Sequence, residues 1–324
     1  MLNIGMISKW HVHATDYAKQ VQQNPNAQIT AVWDEDPTRG AEWAAELGVP
    51  FYADYSEFLA SDIHAVVCDS PTTMHRELLV KAAQAGKHIF TEKLLACTNE
   101  DAEAIAAAVR AANVTFTISL PVKGFPQVQY IKQLIDSGKL GNVTGARFRR
   151  SHNGVSGNWL PERWFNVEES GGGAMMDLGA HPVYVIADLL GEPSRVAAMM
   201  TNLCGSTSDE NAIVLGEFPG GALATMETAF VTSGVPDMLE VYGTEGSVFF
   251  RWNEVVQNLG DGPEEVDEDD MPTRFDPMTC FIKACLAAEK EVLGLGLDDA
   301  LVMTRIMVAA YATCGGATRF AANS

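Results

Sequence analysis

Asp177 and His181 stand four positions apart in the run Gly171-Gly172-Gly173-Ala174-Met175-Met176-Asp177-Leu178-Gly179-Ala180-His181-Pro182. The glycines read as a loop whose main chain a ligand can approach closely, and the apolar residues after them as a helix. A helix starting near Ala174 would set carboxylate and imidazole on one face, beside the mouth of that loop. The pairing suits general acid–base chemistry, because the carboxylate orients the ring and raises its proton affinity while histidine titrates near neutral pH. An Asp–His pair that only braces its helix is the alternative. Lys93, following Thr91-Glu92, is a third candidate: an ammonium there can hold a substrate hydroxyl and favour its ionised form, although a surface lysine would look the same.

The elements that would carry these groups are of two kinds. Residues 2–7, 29–33, 65–68 and 87–90 read as short apolar strands, separated by helical patterns at 15–23, 37–47 and 75–85. That alternation implies right-handed βαβ units, a parallel sheet, and ligands at the carboxyl ends of the strands. Lys93 and the turn Ser70-Pro71-Thr72-Thr73-Met74-His75 would both lie on this edge. Asp34, ending the second strand, is placed to accept from an adenosine ribose and to repel a 2′-phosphate, which favours NAD over NADP. A solvated strand end explains Asp34 equally well, and Arg39 leaves room for NADP. The first turn reads Ser8-Lys9-Trp10-His11-Val12-His13 where a dinucleotide fold has G-x-G-x-x-G. Ser8, the amides after it and the helix N-terminus remain to donate to an anion. With no thiolate or carboxylate at ligand spacing beside His11 and His13, no metal is expected.

From residue 121 the pattern changes. A helix over 128–135 and a strand over 145–150 precede an irregular stretch carrying Trp159, Arg163 and Trp164. Aromatic and cationic side chains there could line a sugar pocket, or the tryptophans could pack in the core. After the glycine run, 195–202, 212–218, 222–230, 238–242 and 247–252 read as strands of an antiparallel meander, closed by helices at 277–291 and 298–314. Two domains are therefore expected: 1–120, Rossmann-like, and 121–324, α+β with a large, mostly antiparallel sheet.

The composition excludes several classes. Hydrophobic residues at 47 % and charged residues at 20 % of 324 describe an ordinary globular chain. A net charge of −20 argues against a nucleic-acid partner. No apolar run approaches the ~20 residues of a membrane helix, and no signal-peptide pattern opens the chain, so a cytoplasmic protein is expected. Six scattered cysteines fit reduced thiols there. The acidic stretch 261–270 reads as a solvated loop.

With these residues in view, the chain resembles the Gfo/Idh/MocA family of sugar and polyol dehydrogenases over essentially its whole length. The resemblance rests on Pro71-Thr72 with His75, on Ala85-Gly86-Lys87-His88 leading to Glu92-Lys93, and on the glycine run with Asp177, Gly179 and His181. It implies that Lys93, Asp177 and His181 surround the reacting carbon, and that a second-domain sheet makes homodimers or homotetramers. Lys123 and Pro126 match, loosely, the basic residue and proline opening that domain. Three departures stand out: Ser8, Trp10 and His13 replace the glycines, Leu94 replaces the proline after the motif lysine, and Tyr184 replaces an aspartate three residues beyond the motif histidine.

The expected activity is hydride transfer between a hydroxyl-bearing carbon of a sugar, polyol or cyclitol and a nicotinamide. Lys93, Asp177 and His181 would be catalytic. Ser8, Trp10, His11, His13, Asp34, Arg39, Ser70, Pro71, Thr72, His75, Glu92 and Lys93 would hold the dinucleotide. Lys123, Arg163, Trp164, Asp177 and His181 would hold substrate. Two alternatives stay open: tightly bound NAD used for oxidation-assisted elimination on glycosides, and a non-catalytic dinucleotide sensor that kept the fold.

Overall fold

Strands whose residues are apolar on both faces can only be central, and 65–68 is such a run. In the computed structural model, which describes residues 1–314, the chain divides into two units: 1–124 with 275–304, and 125–274 with the chain from 305. The first unit holds β1 (Leu2–Ile7), β2 (Ala27–Trp33), β3 (Ala65–Cys68), β4 (His88–Thr91) and β5 (Phe116–Ile118). They form one wholly parallel sheet in the order β2-β1-β3-β4-β5, with every residue of β3 buried. The connecting helices are α1 (Ala14–Gln23), α2 (Pro37–Leu47), α3 (Tyr55–Ala60), α4 (His75–Gln84) and α5 (Asn99–Ala112). Local chemistry sets their ends. Asp36 caps α2 by accepting from the amides of Thr38 and Arg39, Pro37 opens it, and Gly48 closes it at φ +71°.

The second unit contains α6 (Pro126–Asp136), β6 (Val143–Ser151), α7 (Val167–Ser170), α8 (Ala174–Asp177) and α9 (Ala180–Leu190). The strands β7 (Arg195–Thr201), β8 (Asn211–Glu217), β9 (Leu223–Ala229), β10 (Met238–Gly243), β11 (Ser247–Arg251), β12 (Glu254–Asn258) and β13 (Pro263–Glu265) follow. The eight strands are ordered β13-β12-β11-β10-β6-β9-β8-β7, all antiparallel except β6 against β9. Period-two alternation gives the sheet two unlike faces. Ala212, Val214, Met226 and Phe148 are buried on one, where α9 packs on β6 and β9. Met199, Ile213, Leu215 and Leu223 are exposed on the other. Within the acidic stretch 261–270 the chain forms β13 and a single helical turn instead of a plain loop, because Gln257 on β12 donates to Glu264 at 3.0 Å and the edge strand pairs beside it.

The chain then returns to the first unit with α10 (Pro277–Ala287) and the start of α11 (Leu297–Thr313). Met278, Phe281 and Ile282 share a core with Ile4, Val67 and Phe90, the rings of Phe281 and Phe90 lying 5.7 Å apart. Residues 275–304 thus differ from their place in the sequence reading, which put everything after 120 in the second domain. The reason is packing: α10 covers apolar surface of the parallel sheet that the first 124 residues leave unburied. No described helix is long and apolar enough to cross a membrane.

Candidate active site

At the first turn of the parallel sheet, Ser8 has φ +69°, the left-handed backbone that a glycine ordinarily supplies there. Its hydroxyl donates to Glu35 Oε1 at 3.0 Å and accepts from the Trp10 amide at 3.1 Å. The Lys9 amide donates to Asp34 Oδ2 at 2.8 Å, the His11 amide to the Asp69 carbonyl at 3.0 Å, and the His13 amide to His11 Nδ1 at 3.2 Å. These amides, which the sequence reading offered to an anion, are spent inside the turn. Trp10 and His11 are buried, and His13 is half exposed.

Asp34 is likewise not the open acceptor expected of it. Its Oδ1 accepts from the Asp36 amide at 2.8 Å and Arg39 Nη2 at 2.6 Å, and its Oδ2 accepts from the Lys9 amide and, at 3.0 Å, Arg39 Nε. Four donors fill a buried carboxylate's four lone-pair positions. The acceptor left at this corner is the next residue. Glu35 Oε1 is held by Ser8 and by Arg39 Nη2 at 2.5 Å, while Oε2 is buried without a hydrogen-bond partner among the described residues. Burial, then the neighbouring Asp34 charge, push the Glu35 carboxyl up. An orphaned acceptor beside an Arg-neutralised acidic pair fits a ribose hydroxyl of NAD.

Further along the same edge, Ser70 and Pro71 are buried and Thr72 is half-buried at the head of α4. His75 is fully buried and bridges two carbonyls, Nδ1 to Leu95 at 3.1 Å and Nε2 to Ser70 at 3.2 Å. Burial lowers its pKa to about 4, so it is neutral and donates one proton between the two. It therefore ties the turn after β3 to the loop after β4 instead of meeting a cofactor. Glu92 is buried, accepting from the Tyr17 hydroxyl and, through Oε2, from the Lys93 amide at 2.8 Å. Tyr17 also bonds Ser119 at 2.6 Å. Burial first, then Glu92, raise Tyr17 and Asp69 well above their ordinary pKa values. Lys93 is 5 % exposed, so it is no surface lysine, and the Lys93–Leu94 peptide is cis where the family's proline would stand. Lys123 is also buried, with its ammonium on Asp299 at 2.7 Å and the Gly294 carbonyl at 2.9 Å. It ties the return segment to residues 121–124, a structural duty that displaces the substrate contact expected of it.

In the second unit the glycine run is packed against the protein itself and does not open to a ligand. A Cβ on Gly173 would lie 2.0 Å from the Asp209 carbonyl oxygen, and one on Gly172 would lie 2.6 Å from the Tyr311 hydroxyl. Asp209 accepts from the amides of Gly173 at 3.0 Å and Met175 at 2.7 Å, and its carbonyl accepts from Ala174 at 2.8 Å. Tyr311 donates to Asp209 at 2.7 Å and accepts from Met176 at 3.1 Å and Gly173 at 3.3 Å. Together they satisfy the orphan amides that open α8.

The motif helix is not continuous. α8 stops at Asp177 and α9 restarts at Ala180, with the Gly179 amide reaching back five residues to Ala174 at 2.9 Å. Pro182 has no amide for the Leu178 carbonyl, and a Cβ on Gly179 would lie 2.6 Å from the Met175 carbonyl oxygen. Asp177 and His181 thus flank a break instead of sharing one regular face. His181 is 6 % exposed, and its Nδ1 lies 2.7 Å from the hydroxyl of buried Tyr184. Trp164 is 3 % exposed and belongs to the core, whereas Arg163 lines a cleft of about 790 Å³ with Asn158, Asn166, Glu169 and Glu210. Tyr184 was visible in sequence as a departure. Asp209 and Tyr311, 36 and 138 residues from Gly173, carry no local signal.

Comparison with known proteins gives this geometry its setting. Residues 3–120 match the profile of an oxidoreductase family with an NAD-binding Rossmann fold, and residues 128–249 match the GFO/IDH/MocA C-terminal domain. The 2,7-anhydro-N-acetylneuraminate hydratase of Escherichia coli is 28 % identical over 89 % of this chain and 79 % of its own. The 1,5-anhydro-D-fructose reductase of Ensifer adhaerens is 26 % identical over 84 % and 83 %. A solved levoglucosan dehydrogenase, in complex with NADH and levoglucosan, superposes with a TM-score of 0.84 over 97 % of both chains at 22 % identity, a likeness of fold. The parallel sheet, the eight-stranded sheet and the two matched profiles make this chain an oxidoreductase of the Gfo/Idh/MocA family.

Proposed function

We propose that the enzyme oxidises or reduces a secondary hydroxyl carbon of a sugar, polyol or cyclitol with NAD as the preferred dinucleotide. NAD, when bound, supplies the hydride acceptor or donor. Glu35 and Ser8, with Arg39 neutralised between Asp34 and Glu35, would hold its adenosine ribose. The observation that carries the chemistry is buried His181 with Nδ1 on the Tyr184 hydroxyl at 2.7 Å. When that hydroxyl accepts from Nδ1–H, Nε2 keeps its lone pair and can take a substrate hydroxyl proton. Asp177, across the helix break, completes the acid–base group, and Lys93 stabilises the developing alkoxide. Arg163 in the 790 Å³ cleft is a candidate donor to substrate hydroxyls.

A second reading, oxidation-assisted elimination or hydration with NAD retained between turnovers, is favoured by the hydratase relative. Absorbance at the reduced-nicotinamide band, with a panel of sugars and polyols and each dinucleotide in turn, separates the two, since only net oxidation accumulates NADH. In whichever assay turns over, His181→Ala should lower kcat by roughly 10²–10⁴-fold and leave dinucleotide affinity unchanged. A kcat within a few-fold of the parent in folded His181→Ala would remove His181 from the chemistry.

The exposed apolar residues of β7, β8 and β9 support assembly of a homodimer or homotetramer through that sheet face, which would take Met199, Ile213, Leu215 and Leu223 out of water.

A further inference from the structure

We propose that Tyr17 is a positioning residue for Lys93 and acts on it through Glu92. The inference rests on the reading of Lys93 as the group that stabilises the developing alkoxide, and it adds a residue of α1 to that chemistry. A lysine carries its ammonium on a flexible four-carbon stem, so the placement of the charge starts from the direction in which the backbone sends that stem. Glu92 sets this direction locally, because its side chain folds back and Oε2 accepts from the Lys93 amide at 2.8 Å. A carboxylate on one amide can still swing about its own side-chain bonds. Its second oxygen, Oε1, accepts from the Tyr17 hydroxyl, and the two bonds together fix the carboxylate plane.

Tyr17 is itself held on two sides. Its hydroxyl lies 2.6 Å from Ser119 Oγ, just past β5, and since its one proton goes to Glu92, Ser119 is the donor there. Its ring packs edge-on against Phe90 of β4, with centroids 5.1 Å apart and planes at 68°. The helix α1 and the ends of β4 and β5 thus converge on the peptide that carries Lys93.

Burial makes this linkage stiff. Tyr17, Glu92, Lys93 and Ser119 are each 6 % exposed or less, so bulk water has little access to the bonds between them. Asp69, fully buried nearby, shows a carboxylate without such donors: neither of its oxygens has a hydrogen-bond partner among the described residues, and burial, then the Glu92 charge, raises its carboxyl well above the usual range. His11 does not duplicate Tyr17. With Nδ1 accepting the His13 amide, the neutral ring carries its proton on Nε2, which faces the other Glu92 oxygen, Oε2, from 3.9 Å, beyond hydrogen-bonding distance.

Tyr17→Phe tests this, because the phenylalanine keeps the ring against Phe90 and removes the donor. A crystal structure of the variant, which needs no substrate, should show Lys93 Nζ displaced by about 1 Å, a misplacement that costs on the order of 10²-fold in rate. With the sugar or polyol of the panel above that turns over fastest, kcat should fall roughly 10- to 100-fold, while the KM for the dinucleotide stays within about twofold. In a Lys93→Ala background the same substitution should change kcat by less than about threefold, since no ammonium is left to aim, whereas a general structural defect acts in both backgrounds. Ser119→Ala serves where Tyr17→Phe does not fold, and should give a smaller loss of about two- to tenfold with the same dependence on Lys93. Lys93 Nζ at its parental position, parental kcat in folded Tyr17→Phe, or an equal loss with and without Lys93 would each overturn the proposal. Parental kcat in Lys93→Ala would instead overturn the reading of Lys93 itself, and the proposal with it.

Discussion

Asp209→Ala should destabilise the second unit more than any surface truncation, although Asp209 touches no substrate-facing residue in the sequence motif. Its carboxylate accepts from Gly173 at 3.0 Å, Met175 at 2.7 Å and the Tyr311 hydroxyl at 2.7 Å. A hydrogen bond to a charged group contributes about 1.5–3 kcal/mol, and the Gly173 amide keeps a weaker partner in Tyr311. Two full losses and one partial loss sum to about 4–6 kcal/mol. Tyr311→Phe, which removes one donor and a shared acceptor, should cost about 2–3 kcal/mol, and the double variant less than the sum because the two side chains hold the same amides. Urea denaturation followed by circular dichroism gives these values. Under conditions where the variants stay folded, kcat should fall further than dinucleotide affinity, since α8 ends on Asp177. A loss of under about 1 kcal/mol in Asp209→Ala would show that the α8 amides find other partners, and would refute the argument.

Three further outcomes follow from the geometry. Glu35→Ala should weaken NAD by roughly tenfold or more and improve NADP, because an acceptor is lost and Arg39, still held by Asp34, loses one of its two neutralising carboxylates near a 2′-phosphate; calorimetry with both dinucleotides in which Asp34→Ala alone narrows the preference would return the role to Asp34. His75, held near pKa 4 against an ordinary 6.5, is neutral when folded, so its contribution is complete above pH 6.5 and is lost as pH falls toward 4, by about 3 kcal/mol. Asp69, raised by burial, works in the opposite sense in acid, so the measurement is the difference between parent and His75→Asn from pH 8 to 4, and a difference independent of pH would refute it. Leu223→Glu, placing charge on the exposed sheet face, should convert an oligomer to a monomer of 34.9 kDa by light scattering; a parent already monomeric at micromolar concentration would refute the assembly.

What was legible in the sequence follows from the range of the forces involved. The strands β1 to β4 were readable because burial on both faces demands mostly apolar segments, unbroken in β3, and the β7–β11 meander because one buried face demands alternation. β5, with three residues, was too short to register, and α5 was readable but unread in its Asn99–Ala112 pattern. Lys93, Asp177 and His181 were legible as types and spacing. Their partners were not: Asp34 looked like an open carboxylate until Arg39 and two amides closed on it, and the glycines looked like a ligand's approach until Asp209 and Tyr311 occupied it. Spacing reports which groups are neighbours along the chain, whereas saturation of a carboxylate depends on residues far from it in sequence.

The return of residues 275–304 to the first unit has a consequence during synthesis. The parallel sheet lacks Met278, Phe281 and Ile282 until the 150 residues from 125 to 274 have been made. At ~5–20 residues per second, that interval is about 8–30 s. Throughout it the nascent first unit exposes the apolar surface around Phe90 that α10 later covers, so the amino-terminal unit, first to leave the ribosome, cannot be the first to finish. A ribosome stalled near residue 200 should therefore hold a protease-sensitive sheet, and one stalled beyond residue 340, with a linker extending the chain through the exit tunnel, a protected one.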